Sequence, residues 1–300
     1  MDNTIYEKYR QAGKIAATAR DYGVRLIKPG VSFLDVANKV ESKIVEKGAE
    51  LAFPVNISIN KGAAHFSPRH DDTLVFKNTD VVKLDVGAHI DGYIADTAIT
   101  LEIGSNNFEN MIIASNNALD HAIEKMKPGI KLSEIGKVVE ETIKSFGYKP
   151  ISNLSGHGLD KYKLHSGISV PNVSDAGYKT KPKIGDVLAI EPFATDGEGR
   201  VISGNGSNIY ICKESFRSKV IRDHRSKLYF NRLFGKFRTL PFAERWCEDL
   251  VPDSADLVLK KLSFLGLIKH YPQLIEAKNG IVTQKEHTII VNDEGCEVIT

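Results

Sequence analysis

The chain has 300 residues, of which 42% are hydrophobic and 26% are charged. This composition predicts a soluble globular protein with a large buried core, and it excludes a disordered chain. The formal net charge of +2 is close to balance. The whole chain therefore gives no electrostatic reason to bind nucleic acid or an anionic membrane, and any basic surface must be local.

The cysteines and the N-terminal residues indicate the compartment. Cys212, Cys247 and Cys296 are odd in number, far apart and without a C-x-x-C motif, which fits a reducing environment and argues against a thiolate metal site. The first twenty residues carry charges where a secretory signal needs an apolar core. No later stretch has the length of a membrane span. We therefore expect a cytoplasmic protein.

An internal repeat predicts two related halves. The segment KPGVSFLDVANKVE (Lys28–Glu41) matches KPGIKLSEIGKVVE (Lys127–Glu140), with apolar residues at the same offsets. Each copy follows a stretch with helical periodicity, Ile5–Leu26 and Asn106–Met126, and each is typical of a turn leading into a second amphipathic helix. A long repeat that occurs twice indicates a pseudo-symmetric domain.

Strand-like runs follow each predicted helix pair. They are Leu51–Asn60, Thr73–Phe76 and the hairpin Lys83–Ile99 in the first half, and Tyr148–Asn153, Val187–Glu191, Asn208–Cys212 and Gly280–Val291 in the second. Helices on one face of a mainly antiparallel sheet make an α+β fold. We expect a functional site where the two halves meet.

A change of composition predicts a helical insertion subdomain over residues 194–276, within a larger domain made of residues 1–193 and 277–300. The segment Lys213–Leu250 has ten Lys or Arg against five Asp or Glu and contains the only Trp, Trp246. A helical pattern over Ser254–Leu267 follows it. Aromatic residues among basic ones can mark RNA or ribosome contact. Amphipathic helices with a solvated basic face are the favoured interpretation.

The hairpin contains two unexpected acids. Its strands are joined at Asp91-Gly92, a dipeptide typical of a two-residue turn. Asp85 and Asp96 then lie on the same face of the sheet, opposite the apolar face that carries Leu84. Either that face is solvated, or a proton or a cation relieves the repulsion between the two carboxylates. A cation is the sharper hypothesis.

Further candidate ligands occur later in the chain. Glu191 ends the apolar run VLAIEP, Glu286 lies in the strand-like VTQKEHTIIV, and His157 stands between two glycines, with His165 eight residues further on. Each has a simpler interpretation as a surface or loop residue. Together with Asp85 and Asp96 they offer four carboxylates and one imidazole, a set that suits hard or borderline divalent ions. Such a set is large enough for two metals that share bridging carboxylates.

The order Asp85, Asp96, His157, Glu191 and Glu286 resembles that of the methionine aminopeptidases, which have the pseudo-symmetric "pita-bread" fold. AAHFSP, GHGLDKYKLHSG, IEPFATDGEG and KEHT add to the resemblance, which covers nearly the whole chain. The insertion and its LPFAERW segment are similar to those of the type 2 enzymes. The N-terminus without an extension resembles the short archaeal form. Aminopeptidase P, prolidase and creatinase share this fold.

The resemblance implies a role for each ligand. Asp85 chelates one metal, Asp96 and Glu286 bridge both, and His157 with Glu191 completes the other. The implied nucleophile is a water or hydroxide between the two metals, whose pKa the ions lower. Glu191 also carries the proton from that water to the leaving amine.

The resemblance also implies substrate contacts. His65 and His165 contact the substrate and stabilise charge on the scissile carbonyl. Phe53 lines the apolar slot for the methionine side chain. Glu191, His65 and His165 are then the catalytic residues.

The implied function is removal of the initiator methionine from nascent polypeptides whose second residue is small. The family further implies a monomer, possible ribosome proximity, and cobalt, manganese, iron or zinc as the two divalent ions. The residues alone indicate a two-metal hydrolase, since the chain has no G-x-S-x-G and no H-E-x-x-H motif. The alternatives are an X-Pro aminopeptidase or dipeptidase of the same fold, and a non-catalytic RNA- or ribosome-binding relative. The non-catalytic relatives have lost metal ligands.

Overall fold

The computed structural model describes residues 1–213, 223–251 and 254–300. Parts of the predicted basic segment, residues 214–222, and residues 252–253 lie outside this description. The helices are Asn3–Leu26 (α1), Phe33–Glu46 (α2), Glu109–Lys125 (α3), Leu132–Ser145 (α4), His224–Phe237 (α5) and Ala255–Phe264 (α6). The first four occupy the two copies of the repeat, as its periodicity predicts. Asp2 and Ser32 cap α1 and α2 by accepting hydrogen bonds from first-turn amides.

The strands of the first half surround one long hairpin. They are Glu50–Leu51 (β1), Asn56–Ile59 (β2), Gly62–Ala64 (β3), Val81–Ile90 (β4) and Tyr93–Glu102 (β5). β4 lies between β5 on one side and β1 and β2 on the other. Helix α1 packs across β4 and β5, and Gly23 permits the approach, because a Cβ there would lie 2.6 Å from Leu84 Cδ2.

The remaining strands are shorter. They are Lys149–Pro150 (β6), Ser155–Leu159 (β7), Ser169–Pro171 (β8), Val187–Ile190 (β9), Phe193–Thr195 (β10), Val201–Gly204 (β11), Ile209–Cys212 (β12), Phe242–Ala243 (β13), Ile268–His270 (β14), Gln273–Glu276 (β15), Val282–Gln284 (β16), His287–Val291 (β17) and Cys296–Val298 (β18). Every ladder between described strands is antiparallel. The predicted α+β class is therefore confirmed.

Threonine hydroxyls join the two halves where β5 meets β16 and β17. Thr288 Oγ1 accepts from the Asp96 amide and donates to the Asp96 carbonyl, both at 2.8 Å. Thr97 Oγ1 donates to the Glu286 carbonyl at 2.9 Å, and Thr100 Oγ1 donates to the Gln284 carbonyl at 2.7 Å. These side chains replace part of a regular backbone ladder, and the backbones of Ala98 and Glu286 form an isolated antiparallel bridge beside them.

The insertion is anchored to α2 by a buried acid. Glu41 is 6% exposed and accepts hydrogen bonds from Arg245, from Trp246 Nε1 at 3.0 Å and from the Val55 amide at 3.1 Å. Around this anchor, α5, α6 and strands β12 to β14 enclose an apolar cluster of their own that includes Phe242. The contact fixes the insertion beside the segment that leads into β2.

One prediction of secondary structure is wrong, and one is incomplete. Thr73–Phe76 forms no strand: it has a single bridge, from Val75 to Ser32, because Phe76 turns into the core while Leu74 and Val75 stay exposed. The segment 194–276 is helical only in part, because β11 to β15 lie within it beside α5 and α6. Its bounds as a subdomain stay a prediction.

Among the described residues, no helix combines the length and the apolar content needed to cross a membrane.

Candidate metal centre

The β4–β5 hairpin places Asp85 and Asp96 on one face, as the sequence predicts. Asp85 pairs with Ala98, and Asp96 pairs with Gly87, so the two acids are diagonal neighbours. The turn between the strands has positive φ at both residues, 52° at Asp91 and 88° at Gly92, which is the conformation that a two-residue hairpin needs. The acid-bearing face is not solvated, since Asp96 is only 4% exposed.

The other candidate ligands come from the second half. His157 lies on β7 opposite Ala189 of β9, Glu191 directly follows β9, and Glu286 lies between β16 and β17 with its backbone bridged to Ala98. All eight predicted site residues line one cavity of about 60 Å³: Phe53, His65, Asp85, Asp96, His157, His165, Glu191 and Glu286. The strand order of both halves therefore brings residues far apart in sequence to one place.

The acids and the imidazole lie at distances that suit a shared cation. His157 Nε2 is 3.7 Å from Asp96 Oδ2 and 3.7 Å from Glu191 Oε1. The ligand atoms of Asp96, His157 and Glu286 all lie within 4.8 Å of one another. Asp85, Asp96 and Glu286 each have a buried carboxylate oxygen without a hydrogen-bond partner. Buried acceptors without donors are rare in proteins, so these residues fit a divalent cation.

The pKa values of these residues show that the buried carboxylates repel one another. Burial raises the pKa of Asp85 to about 7. Burial, and then the neighbouring carboxylates, raise the pKa values of Asp96, Glu191 and Glu286 well above their usual range. Burial lowers the pKa of His157 to about 3, so its imidazole is neutral at pH 7 and free to act as a ligand. A cation would remove the repulsion that these acids cannot relieve among themselves.

Two amide side chains in the site were missed by the sequence analysis. Gln284 Nε2 lies 3.4 Å from both Glu191 Oε2 and Glu286 Oε2, so one amide contacts two candidate ligands. Gln284 lies two residues before Glu286, and this spacing places both side chains on the same face of an extended segment. The spacing could therefore have predicted Gln284 as a site residue. Asn56 lines the cavity and pairs with Asp85 across β2 and β4, but nothing in its sequence context marked it.

The apolar wall depends on a glycine. Phe53 is 4% exposed and packs directly on the strand that carries Asp85. A Cβ at Gly87 would lie 2.1 Å from Phe53 Cε1, so only glycine permits this approach. Leu164, Ile209 and Pro241 line the same cavity. Apolar surface therefore lies next to the carboxylates, as a site for a small apolar side chain requires.

Neutral histidines lie on the open side of the acids. Burial, and then His165, lower the pKa of His65 to about 4. The His165 ring centroid is 4.4 Å from that of His157, and the His65 ring contacts Tyr271 edge-on at 5.2 Å. The sequence analysis did not predict Tyr271 as a site residue, because it lies near the end of the insertion, far along the chain from the other site residues of the first half. A neutral imidazole can donate a hydrogen bond to a carbonyl oxygen.

The loop that carries His165 is held against the hairpin turn. The Tyr162 amide donates to the Gly92 carbonyl at 2.8 Å. A Cβ at Gly92 would lie 2.4 Å from the Tyr162 ring, so the turn that aligns the two Asp residues also seats this loop. The candidate ligands Asp85 and Asp96 and the loop of His165 therefore share one support.

A buried set of four carboxylates and one imidazole, placed at the junction of two related antiparallel halves, defines the chain as a metal-dependent hydrolase of α+β fold. The model of metallopeptidase family M24 matches residues 7–222. The methionine aminopeptidase of Methanocaldococcus jannaschii is 48% identical over 302 residues, which cover 100% of both chains. The chain belongs to family M24 and, within it, to the methionine aminopeptidases.

Two solved structures support the fold. A methionine aminopeptidase from Thermotoga maritima has a TM-score of 0.72 at 24% identity. The match covers 100% of this chain and 98% of that one. A thermophilic Arx1 has a TM-score of 0.88 at 17% identity, with 91% of it and 100% of this chain covered. At these identities the likeness shows the fold alone, and the predicted pita-bread architecture is confirmed.

Proposed function

We propose that the protein removes the initiator methionine from nascent polypeptides whose second residue is small. The observation that carries the proposal is the buried acid cluster beside an apolar wall, in a chain of this family. The cluster offers a place for the α-amine and the scissile bond, and the wall at Phe53 offers a place for an apolar side chain. No serine or cysteine nucleophile is needed in this arrangement.

Asp85 would hold one divalent ion, Asp96 and Glu286 would hold both, and His157 with Glu191 would hold the other. The carboxylate oxygens without donors and the raised carboxyl pKa values support this division. Bound there, two divalent ions would polarise the scissile carbonyl and lower the pKa of water from about 15.7 toward neutrality.

The chain's own residues move the proton and orient the substrate. Among the residues that the structure describes, the Glu191 carboxylate accepts only a long hydrogen bond from Gln284, so one of its oxygens is free to take the proton of the attacking water and pass it to the leaving amine. His65 and His165, both on the open side of the acids, contact the substrate, and His165 donates a hydrogen bond to the carbonyl oxygen as charge develops on it. The neutral His65 ring donates its Nδ1 hydrogen to the Pro272 carbonyl at 3.3 Å, so its Nε2 is the atom that can accept a hydrogen bond from the substrate. Phe53 contacts the methionine side chain and excludes water from the slot.

The remaining details are proposals of the same kind. Carboxylates with one imidazole accept cobalt, manganese, iron or zinc, and the ligand set does not select among them. We propose a cytoplasmic monomer with its basic insertion, residues 194–276, close to the ribosome. Metal analysis of protein purified without added metal, followed by chelation and replacement with each ion, identifies the ion that restores activity.

The proposal is tested with Met-Ala-Ser and X-Pro peptides assayed in parallel. We expect cleavage of Met-Ala-Ser and little cleavage of X-Pro peptides. An Asp96→Ala variant should lose activity. Asp293 is an exposed acid near the C-terminus, and an Asp293→Ala variant should keep activity. Preferential X-Pro cleavage would favour the prolidase-like alternative. Binding of RNA without cleavage of either peptide would favour the non-catalytic alternative.

A further inference from the structure

The cavity has a closed end and an open side. Glu286 is 1% exposed and Asp96 is 4% exposed, whereas His165 is exposed and Tyr271 is half-buried. The α-amine, the scissile bond and the methionine side chain occupy the acids and the Phe53 wall. The rest of the substrate must then leave past His165 and Tyr271, because that is where the cavity meets solvent.

A lysine stands on this rim. Lys269 lies on β14, pairs with Ile211 and is exposed, and its Nζ is 5.8 Å from the centroid of the Tyr271 ring. The positive charge of Lys269 lowers the pKa values of both His65 and His165, although burial is the larger cause for each. The ammonium is therefore close enough for its field to reach the residues that contact the substrate.

The Lys269 ammonium has no acidic partner in the part of the chain that the structure describes. The contact with Tyr271 is its one interaction there. Lys43, Lys144 and Lys260 differ, because each pairs with a carboxylate on its own helix. An unpaired ammonium at the exit of a peptide-binding cavity is free to bind a carboxylate of the peptide.

We propose that Lys269 is a specificity-determining residue that binds an acidic side chain at the third or fourth position of the substrate. The inference rests on the proposed peptidase function, because it needs a peptide that leaves the cavity past Tyr271. An extended peptide advances about 3.3 Å per residue, so these positions follow the small second residue out of the cavity. A cation at this rim favours Asp or Glu over Lys or Arg, and its effect falls as salt rises.

The test compares peptides that differ in one charge. We use C-terminally amidated Met-Ala-Ser-Xaa-Ala and Met-Ala-Xaa-Ser-Ala, with Xaa as Asp, Asn or Lys. Wild-type kcat/KM should be about two- to fivefold higher for Asp than for Asn, as expected for an exposed ion pair. Lys269→Gln should abolish the preference, and Lys269→Glu should reverse it toward Lys. Lys47→Glu, an exposed lysine at the end of α2, is the matched charge control and should leave the preference unchanged.

Three outcomes overturn the inference. The first is an equal kcat/KM for the Asp and Asn peptides in the wild type, and the second is an unchanged preference in Lys269→Glu. The third is a preference that appears only with a free C-terminus, because the lysine would then bind the terminal carboxylate. Calorimetric binding of the amidated peptides provides the same comparison without turnover. Failure of the proposed function itself is distinct, because it appears as no cleavage of the neutral Asn peptide.

Discussion

Buried acids occur in two kinds of place in this molecule. Glu276, at the end of β15, is 1% exposed, and its two oxygens accept hydrogen bonds from the backbone amides of Glu198, Gly199, Lys278 and Gly280. These donors lower its pKa despite the burial. Glu286 is equally buried, yet one of its oxygens has no donor and its pKa is raised well above the usual range.

The difference separates an acid that supports the fold from an acid that serves a site. Glu41 belongs with Glu276, because Arg245, Trp246 and the Val55 amide satisfy its oxygens, although burial still raises its pKa. The acids of the candidate metal centre have too few donors in the described part of the chain, and they repel one another. A buried carboxylate that the protein leaves unsatisfied therefore needs a cation from outside the chain.

The strongest test of this comparison exchanges each acid for its amide. Glu286→Gln should lower kcat/KM by at least ~10³-fold, because metal ions supply several kcal/mol of transition-state stabilisation. The metal-free variant should unfold no more easily than the wild type, since an unsatisfied charge has been removed. Peptide assays and thermal unfolding of metal-free protein measure the two effects.

Glu276→Gln should show the opposite pattern. It replaces an acceptor of four amides by a group with one acceptor oxygen, which should reduce the free energy of unfolding by about 2–4 kcal/mol. The activity of the folded fraction should persist. Equal loss of stability in Glu276→Gln and Glu286→Gln would remove the distinction between the two acids.

A smaller effect is expected from the threonine that fixes Asp96. Thr288→Val removes both hydrogen bonds to the Asp96 backbone and nearly preserves the side-chain shape. Partners of this kind typically change metal affinity by about 10- to 100-fold. Thr18→Val, which breaks a hydroxyl bond on the exposed surface of α1, is the matched control. Metal affinity by calorimetry should fall in the first variant and stay constant in the second.

The smallest effect concerns pH. The pKa of Asp85 is raised to about 7 in the folded protein, against about 3.9 in an unfolded chain. The stabilisation of the folded state by protonated Asp85 is therefore fully present below pH ~4 and is lost as the pH rises through ~7. Metal-free Asp85→Asn should gain stability over the wild type across this interval, and its Tm at pH 8 should be higher by several degrees. A Tm difference that does not change from pH 4 to pH 8 would contradict the raised pKa.

Local features of the site were predictable from the sequence. The turn at Asp91-Gly92 fixes the register of β4 and β5, and parity then places Asp85 and Asp96 on one face. The repeat and its periodicity predict α1 to α4, because each helix buries one apolar face against its own half. His157, Glu191 and Glu286 were candidate ligands from the residues alone, but the role of each one was implied only by the family resemblance.

What the sequence did not predict depends on contacts between distant segments. The hydroxyl of Thr288 meets Asp96 only after the two halves dock, and no local pattern marks that contact. Thr73–Phe76 has the composition of a strand, but its backbone groups bond to Gly30, Val31 and Phe33 at the start of α2 instead of to a sheet. Tyr271 lines the cavity, and Lys269 contacts Tyr271, because the insertion returns beside the cavity.

The central claim is that the unsatisfied acids are a site for divalent ions. The most direct measurement is calorimetric titration of manganese into metal-free protein, with the wild type, Asp96→Ala and Glu276→Gln compared at pH 7.5. The wild type and Glu276→Gln should bind two ions per chain, and Asp96→Ala should lose the tight binding. Unchanged binding by Asp96→Ala, or loss of binding in a folded Glu276→Gln protein, would contradict it.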